Sequence, residues 1–445
     1  MLFYCKNIIH SNQSNFMSDT ITEISTRQLH DLMHTPEELI VDIRPTAAYN
    51  GWRLQGELRG GHIPGAISFP LAWTRYTFEL HEFLQSKGLV PGRPVTIYGY
   101  NTEEMDRMVK ILAPAGLERL KVYPHFQDEW VTDSGLPLAR LAHYDKLIYP
   151  DWLHTLINGG MPPNYDGRPW VLCHTHYDHY ADYEEGHIPG AVSLNTLDLE
   201  SPEDWNVRSP GELMNTLLRH GIRHDTTVIL YGRFSYPRNE DPFPGKRAGH
   251  LSAMRSAAIL MYAGVEDVRI LNGSILAWED AGYGLSKESV IPTPAADFGV
   301  AIPAHPEYIT DISKAKELLA SDDGELVCVR SWEEYTGKVS GYHYIEKTGR
   351  IPGAVFGNCG SDAYHMENYR NPDLTMRSFE EVAANWAEAG IVPEKEIAFY
   401  CGTGWRGSEA FLNAWLMGWP RVSVYDGGWM EWSSDPENPV VKDER

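Results

Sequence analysis

A cysteine near the end of the chain stands where a thiol can act as a nucleophile. Cys401 follows the apolar stretch 397–400 and opens a glycine-rich turn that leads into a helical pattern. The unpaired N–H groups and the positive dipole end of a helix N-terminus favour negative charge, and the thiolate is the reactive form of cysteine. Glycines also let several backbone amides point at one centre. We therefore expect Cys401 to be a catalytic thiolate, with substrate bound by Gly402, Thr403, Gly404, Trp405 and Arg406.

The length and composition limit what the rest of the chain can be. With 445 residues, 42% of them hydrophobic and 22% charged, the chain is typical of a globular protein of about three domains. Its formal net charge of −23 argues against nucleic acid or an anionic membrane as a partner, since both require a basic face. No apolar run approaches the roughly 20 residues that span a bilayer.

The five cysteines suggest neither a zinc cluster nor a disulfide framework. They contain no C-x-x-C pair, so a reducing compartment is the simpler interpretation. The first residues lack a proper apolar signal region, and residues 1–18 are expected to form a flexible tail. We expect a cytoplasmic protein, or a periplasmic one if Met1 is not the native start, and nothing in the sequence requires a metal or an organic cofactor.

The chain contains three copies of one short motif, which indicates three repeats of one domain. Gly-His-Ile-Pro-Gly-Ala stands at 61–66 and again at 186–191, and Gly-Arg-Ile-Pro-Gly-Ala stands at 349–354. An apolar strand precedes each copy, and a strand, a helix and a further strand follow it. This alternation predicts an α/β fold in which each domain is a parallel sheet flanked by helices on both faces. The predicted domains are 19–143, 144–295 and 296–445.

The first two repeats are expected to be inactive. Gly99 and Gly232 occupy the position of Cys401, so neither repeat carries a nucleophile there. The segment 239–249 of the second repeat is long enough to reach over the site of the third domain, and we interpret it as a lid.

These features together resemble the rhodanese family of sulfurtransferases. The resemblance rests on the repeat, the cysteine loop and the run Tyr-Asp-Gly-Gly-Trp-Met-Glu-Trp at 425–432, and it covers about residues 20–440. Three repeats with a cysteine only in the last loop are similar to a bacterial three-domain type. The resemblance implies that Cys401 takes the outer sulfur of thiosulfate, expels sulfite, holds a persulfide and passes the sulfur to a thiol or to cyanide. The loop sequence also allows 3-mercaptopyruvate as the donor.

The resemblance further implies that arginines bind the donor. Arg330 occupies the position at which an arginine contacts the donor in tandem family members, although Cys328 stands where they have aspartate. Arg350 replaces the usual histidine of the repeated motif and adds to a positive rim. Because Arg406 supplies further charge for a dianion, we favour thiosulfate as the donor.

Two alternatives stay open. The first is a persulfide carrier or scaffold that receives sulfur from a partner cysteine desulfurase, and a thioredoxin-like protein is the other candidate partner. The second is a cysteine-dependent phosphatase or arsenate reductase, because those enzymes also have a cysteine and an arginine in a loop before a helix. Four residues separate Cys401 from Arg406, a spacing that suits a sulfur atom better than a tetrahedral phosphate.

Overall fold

A computed structural model of the protein describes residues 21–75, 80–233 and 250–443. The predicted tail and the predicted lid, 239–249, lie outside these ranges. Backbone contacts divide the chain into two compact units. The first contains the chain up to Pro45, Glu57–Arg59 and Ile63–Leu138, and the second contains Thr46–Gly56, Gly60–His62 and Ala139–Arg445. Within the described ranges, no helix combines the length and the apolar character needed to cross a membrane.

The described part of the first repeat contains one parallel sheet of five strands. The strands are β1 (Thr22–Glu23), β2 (Leu39–Asp42), β3 (Ile67–Ser68), β4 (Val95–Tyr98) and β5 (Leu120–Tyr123). The helices are α1 (Thr26–Leu32), α2 (Thr46–Asn50), α3 (Leu80–Ser86) and α4 (Thr102–Leu112). The strand order is β1-β5-β4-β2-β3, and β2 and β4 are buried along their whole length. Strands that are buried along their whole length are typical of a sheet that is covered on both faces.

The second repeat forms a sheet of the same kind, with five strands among its described residues. The strands are β6 (Leu147–Ile148), β7 (Trp170–His176), β8 (Val192–Asn195), β9 (Thr227–Tyr231) and β10 (Asp267–Leu271). The helices are α5 (Pro150–Ile157), α6 (Ala181–Glu184), α7 (Pro210–Arg219), α8 (His250–Ala263) and α9 (Ser274–Asp280). The order β6-β10-β9-β7-β8 repeats the topology of the first sheet.

The third repeat carries the cysteine loop on the same framework. Its described strands are β11 (Ile309–Thr310), β12 (Gly324–Cys328), β13 (Val355–Phe356), β14 (Glu396–Tyr400) and β15 (Val422–Tyr425). Its helices are α10 (Ile312–Ala320), α11 (Trp332–Thr336), α12 (Phe379–Glu388), α13 (Trp405–Leu416) and α14 (Gly428–Ser434). The order is β11-β15-β14-β12-β13, and every pairing is parallel. The three sheets with their helices confirm the predicted α/β class and the three repeats.

One hydrophobic core runs through the second and third repeats. Helix α8 contributes Ala257, Ala258 and Leu260 to it, and α13 contributes Phe411 and Leu412. A helix that is apolar on most of its circumference must be buried on most of it, and the alanines of α8 allow a neighbouring helix to approach closely. This packing places the second repeat beside the helix that follows Cys401.

Candidate active site

The loop after β14 places the thiol of Cys401 at the start of α13. Gly404 precedes the helix with a φ of 82° and provides no side chain to the first helical amides. The backbone N–H of Trp429 donates to the Cys401 carbonyl oxygen (2.8 Å), and the N–H of Met430 donates to that of Gly402 (3.0 Å). These bonds hold the loop against the first turn of α14. The sequence thus builds the predicted strand–loop–helix setting, and Cys401 is 1% exposed within it.

A tyrosine lies directly on the cysteine loop. The backbone N–H of Gly402 donates to the Tyr342 hydroxyl (3.0 Å), and Arg406 donates to the same oxygen. A Cβ atom on Gly402 would lie 2.4 Å from Cζ of Tyr342, so only glycine allows the ring to approach this closely. Burial raises the pKa of Tyr342 well above its usual value, while Arg406 opposes that rise. Tyr342 is therefore a protonated hydroxyl at neutral pH, hydrogen-bonded to the loop that holds the thiol.

The predicted positive charge of Arg406 is balanced by a carboxylate. Its guanidinium donates two hydrogen bonds to Glu334, at 2.9 and 2.8 Å, and both side chains are buried. Burial alone would raise the pKa of Glu334, but the pairing with Arg406 lowers it overall. The pair also joins the loop to α11, because Glu334 belongs to that helix. Arg406 therefore orders the loop without leaving a free charge for an anion.

An aromatic pocket opens over the thiol and includes residues of two repeats. We call it the Cys401 pocket, and it encloses about 540 Å³ with its open mouth included. The side chains of the third repeat that line it are Tyr342, Tyr344, Ala363, Tyr364, Cys401, Thr403, Trp405 and Arg406. The second repeat contributes Tyr177, Trp205 and Leu251. Trp205 stacks on Tyr344 with ring centres 4.6 Å apart, and Tyr177 meets Trp405 edge to face at 5.6 Å.

Arg330 is among the predicted donor-binding residues and does not line the Cys401 pocket. It is buried, and it donates to the carbonyl oxygen of Gly349 (2.6 Å) and to Sγ of Cys328 (3.3 Å). Its guanidinium also lies over the ring of Trp429, 4.8 Å from the ring centre. These contacts connect β12 to the repeated motif and to α14, and the predicted contact with the donor stays a prediction.

Arg350 is also absent from the pocket lining. Its position becomes clear when it is compared with His187, the equivalent residue of the second repeat. In the second repeat, His187 stacks on Tyr183 with ring centres 3.8 Å apart. In the third, the Arg350 guanidinium lies 4.4 Å from the ring centre of Tyr335 and donates to the Asp443 carbonyl oxygen. The arginine therefore occupies the structural place of the motif histidine, and donor binding by it stays a prediction.

Sequence reasoning missed most of the residues that surround the thiol. Tyr342, Tyr344 and Glu334 precede Cys401 by more than fifty positions, and Tyr177 and Trp205 belong to another repeat. No motif marks them. The only signal was the dense aromatic run 342–344, which has no periodicity that would assign it to a site.

A cluster with metal-ligating geometry occurs elsewhere in the described ranges. His125, Asp128 and Glu129 bring one ligand atom each within 4.8 Å of the others in the first unit. Two of these side chains are exposed, and exposed acidic groups commonly approach one another without an ion. The Cys401 pocket itself offers one thiol among hydroxyl, indole and alkyl groups, a donor set that does not point to a metal.

Comparison with known proteins identifies the repeats. Residues 25–133, 150–281 and 311–435 match the family described as the Rhodanese-like domain. The chain is 41% identical to thiosulfate sulfurtransferase YnjE of Escherichia coli, over 91% of this chain and 89% of that protein. It is 32% identical to the sulfur carrier protein TtuD of Thermus thermophilus, over 68% of this chain and 99% of that protein.

Solved structures provide closer matches. A structure of EanB with a cysteine persulfide and ergothioneine has a TM-score of 0.93 and 51% identity, and covers 95% of this chain and 100% of its own. The anaerobic ergothioneine biosynthesis enzyme from Chlorobium limicola, solved with its natural substrate trimethylhistidine, has a TM-score of 0.93 and 50% identity. That match covers 96% of this chain and 100% of the Chlorobium chain.

Several EanB variants with known structures carry substitutions at positions that have counterparts in this chain. They replace a tyrosine, a threonine and two cysteines other than the persulfide cysteine. Counted along the chain from the persulfide cysteine, these positions stand at the same intervals as four residues here stand from Cys401, with the same residue types. The four residues are Cys328, Tyr342, Cys359 and Thr403.

Proposed function

Because the chain belongs to the rhodanese family of sulfurtransferases, we propose that it carries sulfane sulfur as a persulfide on Cys401 and transfers it to the imidazole ring of trimethylhistidine. The product of that transfer is ergothioneine. The observation that carries the proposal is the aromatic pocket directly over a buried thiol, in a chain half identical to enzymes solved with this substrate and this product.

The lining of the Cys401 pocket suits the two ends of this acceptor. A trimethylammonium group has no hydrogen-bond donor and is recognised by the faces of aromatic rings. Tyr177, Trp205 and Trp405 offer three such rings in the lining of the pocket. A flat imidazole ring can then lie between Tyr342 and Thr403, close to the sulfur on Cys401. By contrast, a small inorganic acceptor such as cyanide has no cationic group that several aromatic rings could bind.

The proposed reaction balances in two steps. In the first, the Cys401 thiolate attacks the outer sulfur of the donor, the sulfur–sulfur or sulfur–sulfonate bond breaks, and the rest of the donor leaves with the electron pair. In the second, the ring carbon between the two imidazole nitrogens bonds to the sulfane sulfur. The persulfide bond breaks, the Cys401 thiolate is regenerated, and the carbon loses its proton. The carbon is oxidised by two electrons and the sulfane sulfur is reduced by two, so no further oxidant is needed.

Tyr342 is the proton-transfer group that we assign to the second step. Its hydroxyl accepts hydrogen bonds from Gly402 N–H and from Arg406, so its own proton is free to point into the pocket. Because burial raises its pKa, the Tyr342 hydroxyl is protonated at neutral pH, and it can give that proton to the ring or to the leaving thiolate and recover it from the ring carbon. The Gly402 and Arg406 contacts would stabilise any negative charge on its oxygen meanwhile.

The donor is proposed more broadly than the sequence suggested. Thiosulfate is the donor that we favoured from the charge of Arg406, and the YnjE relative carries that substrate in its name. Because Glu334 balances the charge of Arg406, that charge no longer favours a dianion over a singly charged donor. A singly charged polysulfide satisfies the same first step, and the two donors should be compared directly.

A persulfide carrier is the second candidate, and the TtuD relative favours it by its name. In that case Cys401 would receive sulfur from a cysteine desulfurase or release it to a thioredoxin-like protein. Cys401 is 1% exposed at the bottom of its pocket, so a partner protein would have to reach it with an extended segment. A small acceptor meets no such obstacle, and for this reason we place the carrier second.

The test is a turnover assay with the full chain. Trimethylhistidine is incubated with polysulfide or with thiosulfate, and the product is analysed by mass spectrometry. We expect a product heavier than the acceptor by one sulfur atom, about 32 Da, which Cys401→Ser does not form. Histidine serves as the matched acceptor without the three methyl groups. The proposed acceptor would be contradicted if the chain released sulfite from thiosulfate with cyanide as acceptor and placed no sulfur on trimethylhistidine. That result would favour a thiosulfate sulfurtransferase instead.

A further inference from the structure

A hairpin of the second repeat reaches the Cys401 pocket of the third. It runs from Glu200 to Val207, and its ends form an isolated antiparallel bridge. Ser201 N–H donates to the Asn206 carbonyl oxygen (2.8 Å), and Trp205 has a φ of 59°. This hairpin carries Trp205 of the pocket lining, so a repeat without a nucleophile supplies part of the site.

Glu200 connects the hairpin to the pocket from behind. Its side chain is fully buried, and both of its oxygens accept from the indole Nε1–H of Trp405, at 3.0 and 3.1 Å. The indole is the half-buried wall of the pocket next to the cysteine loop. A buried indole N–H needs an acceptor, so Glu200 fixes which edge of Trp405 turns away from the pocket.

The charges behind this wall do not cancel. Arg255 donates to Glu200 (2.9 Å) and pairs with Asp426 (2.7 Å), so a single guanidinium serves two carboxylates. Asp426 also accepts from the Val207 N–H (2.7 Å). Arg255 further donates to the Trp205 carbonyl oxygen (2.7 Å). With both carboxylates ionised, the group carries one net negative charge in a region of low dielectric.

We propose that Glu200 is a specificity-determining residue of the Cys401 pocket: it holds the Trp405 indole in place and gives the aromatic wall a negative backing that selects an acceptor with a fixed positive charge. The proposal rests on the proposed function, because it concerns the cationic end of the same acceptor. Glu200 touches no reacting atom, so it acts through Trp405 and through its own electric field. Its carboxylate lies at the N–H edge of the indole, and a negative charge there adds to the attraction of the ring for a cation.

The groups that face Glu200 also give the preference a pH dependence. They are Arg255 on α8, Asp426 after β15, the Trp405 indole and the Tyr177 hydroxyl. Burial raises the pKa of Glu200 to about 7, against the opposing effect of Arg255 and with a further rise from Asp426. The negative backing is therefore present above pH 7 and is lost as the pH falls below it. A cation bound at the wall should bind more tightly at pH 8 than at pH 6.

The experiment measures the binding of two ligands to a chain that cannot transfer sulfur. Trimethylhistidine and 3-(imidazol-4-yl)propionate, which lacks the ammonium group, are titrated into the Cys401→Ser chain with and without Glu200→Gln. We expect Glu200→Gln to weaken the binding of trimethylhistidine about tenfold and not to weaken the binding of 3-(imidazol-4-yl)propionate, whose side chain ends in a carboxylate. The preference for trimethylhistidine should rise more steeply from pH 6 to pH 8 with Glu200 than with Gln, because the titration of the probes' own imidazole rings is common to both chains. Glu325→Gln is the matched control, since Glu325 is a mostly buried carboxylate that pairs with Lys395 at the start of β12.

The outcomes separate this inference from the proposed function. A chain with Glu200 that shows no preference for trimethylhistidine overturns the acceptor and this inference together. A preference that survives Glu200→Gln, or an equal loss for both probes, overturns this inference alone. Asp426→Asn removes one carboxylate without touching Trp405, and the same loss of preference is expected from it. It keeps the proposal testable if Glu200→Gln does not fold.

Discussion

The first and third repeats share a strand–loop–helix framework, but their loops end in different ways. In the first, the Asn101 side chain caps α4 and accepts from the Glu104 N–H (2.9 Å). In the third, Gly404 precedes α13 and offers no side chain to its amides. A cap satisfies the same amides that an anionic ligand would use. The uncapped loop with a thiol before it, and not the framework, therefore distinguishes the reactive repeat.

The first and third repeats also differ in what pairs with a buried arginine after the second strand. Arg44 donates to both oxygens of Asp42, at 2.9 and 2.7 Å, with Glu57 3.8 Å away. In the third repeat, Arg330 donates to the thiol sulfur of Cys328 at the matching position of β12. The first repeat balances its charge internally, whereas the third replaces that balance with a weak sulfur contact.

The largest effect is expected at the nucleophile. Cys401→Ala should abolish sulfur transfer, with a loss of about 10³-fold or more, because both steps pass through this sulfur. Mass spectrometry of donor-treated protein should show a gain of about 32 Da on Cys401 and none in the variant. Cys173→Ala, a buried cysteine of the second repeat, is the matched control and should keep the activity. A persulfide on another cysteine would contradict the assignment.

The charge comparison predicts the next largest effect, on stability. Asp42→Asn removes the carboxylate that accepts two hydrogen bonds from the buried Arg44 and leaves Glu57 at 3.8 Å, so it should destabilise the first sheet by about 3 kcal/mol. Native-state hydrogen exchange of the β2 and β4 amides measures it. Cys328→Ala is the matched change in the third repeat and should cost about 1 kcal/mol, since only a weak hydrogen bond is lost. Equal costs at the two positions would show that the thiol carries as much of the pairing as the carboxylate.

The contact between the loop and Tyr342 predicts a kinetic effect. Gly402→Ala should slow the transfer to acceptor by about 10- to 100-fold, because the new methyl group displaces the ring and its hydroxyl. Persulfide formation on Cys401 should change less, so single-turnover assays of the two steps measure the difference. Gly211→Ala is the control, because a Cβ there meets nothing within 4 Å. An unchanged transfer rate would remove Tyr342 from the second step.

The parts of this molecule that follow from local sequence were predictable. The three copies of the motif and the apolar strands around them established the sheets, since parallel pairing through helices is the only simple way to bury such strands. Cys401 stood out because its glycines, strand and helix are consecutive in the chain. Each of these signals is contained in a short stretch of the chain, and periodic patterns are recognised over windows of about 11 to 18 residues.

The rest of the site depends on contacts between distant segments. Tyr342 reaches the loop only because Gly402 lacks a side chain, and Trp205 reaches the pocket from another repeat. The charge of Arg406 was visible in the sequence, but its neutralisation by Glu334 was not, because nothing in the spacing of the two residues pairs them. We propose a ring carbon as the acceptor, in place of the thiol or cyanide expected from the sequence, because of the aromatic pocket that these long-range contacts form and the likeness to EanB.

The smallest predicted effect is a loss of stability at the N-terminal cap of α4. Asn101→Ala removes the side-chain oxygen that accepts from Glu104 N–H, and it should destabilise α4 by about 1 kcal/mol. Asn101→Gly is the matched variant and should cost only a few tenths of a kcal/mol, because glycine is itself tolerated as a cap. Hydrogen exchange of the first-turn amides of α4 distinguishes the two, while the rate of sulfur transfer should not move. A cost shared equally by Ala and Gly would mean that the cap does little for α4, and the contrast with Gly404 would then lose its basis.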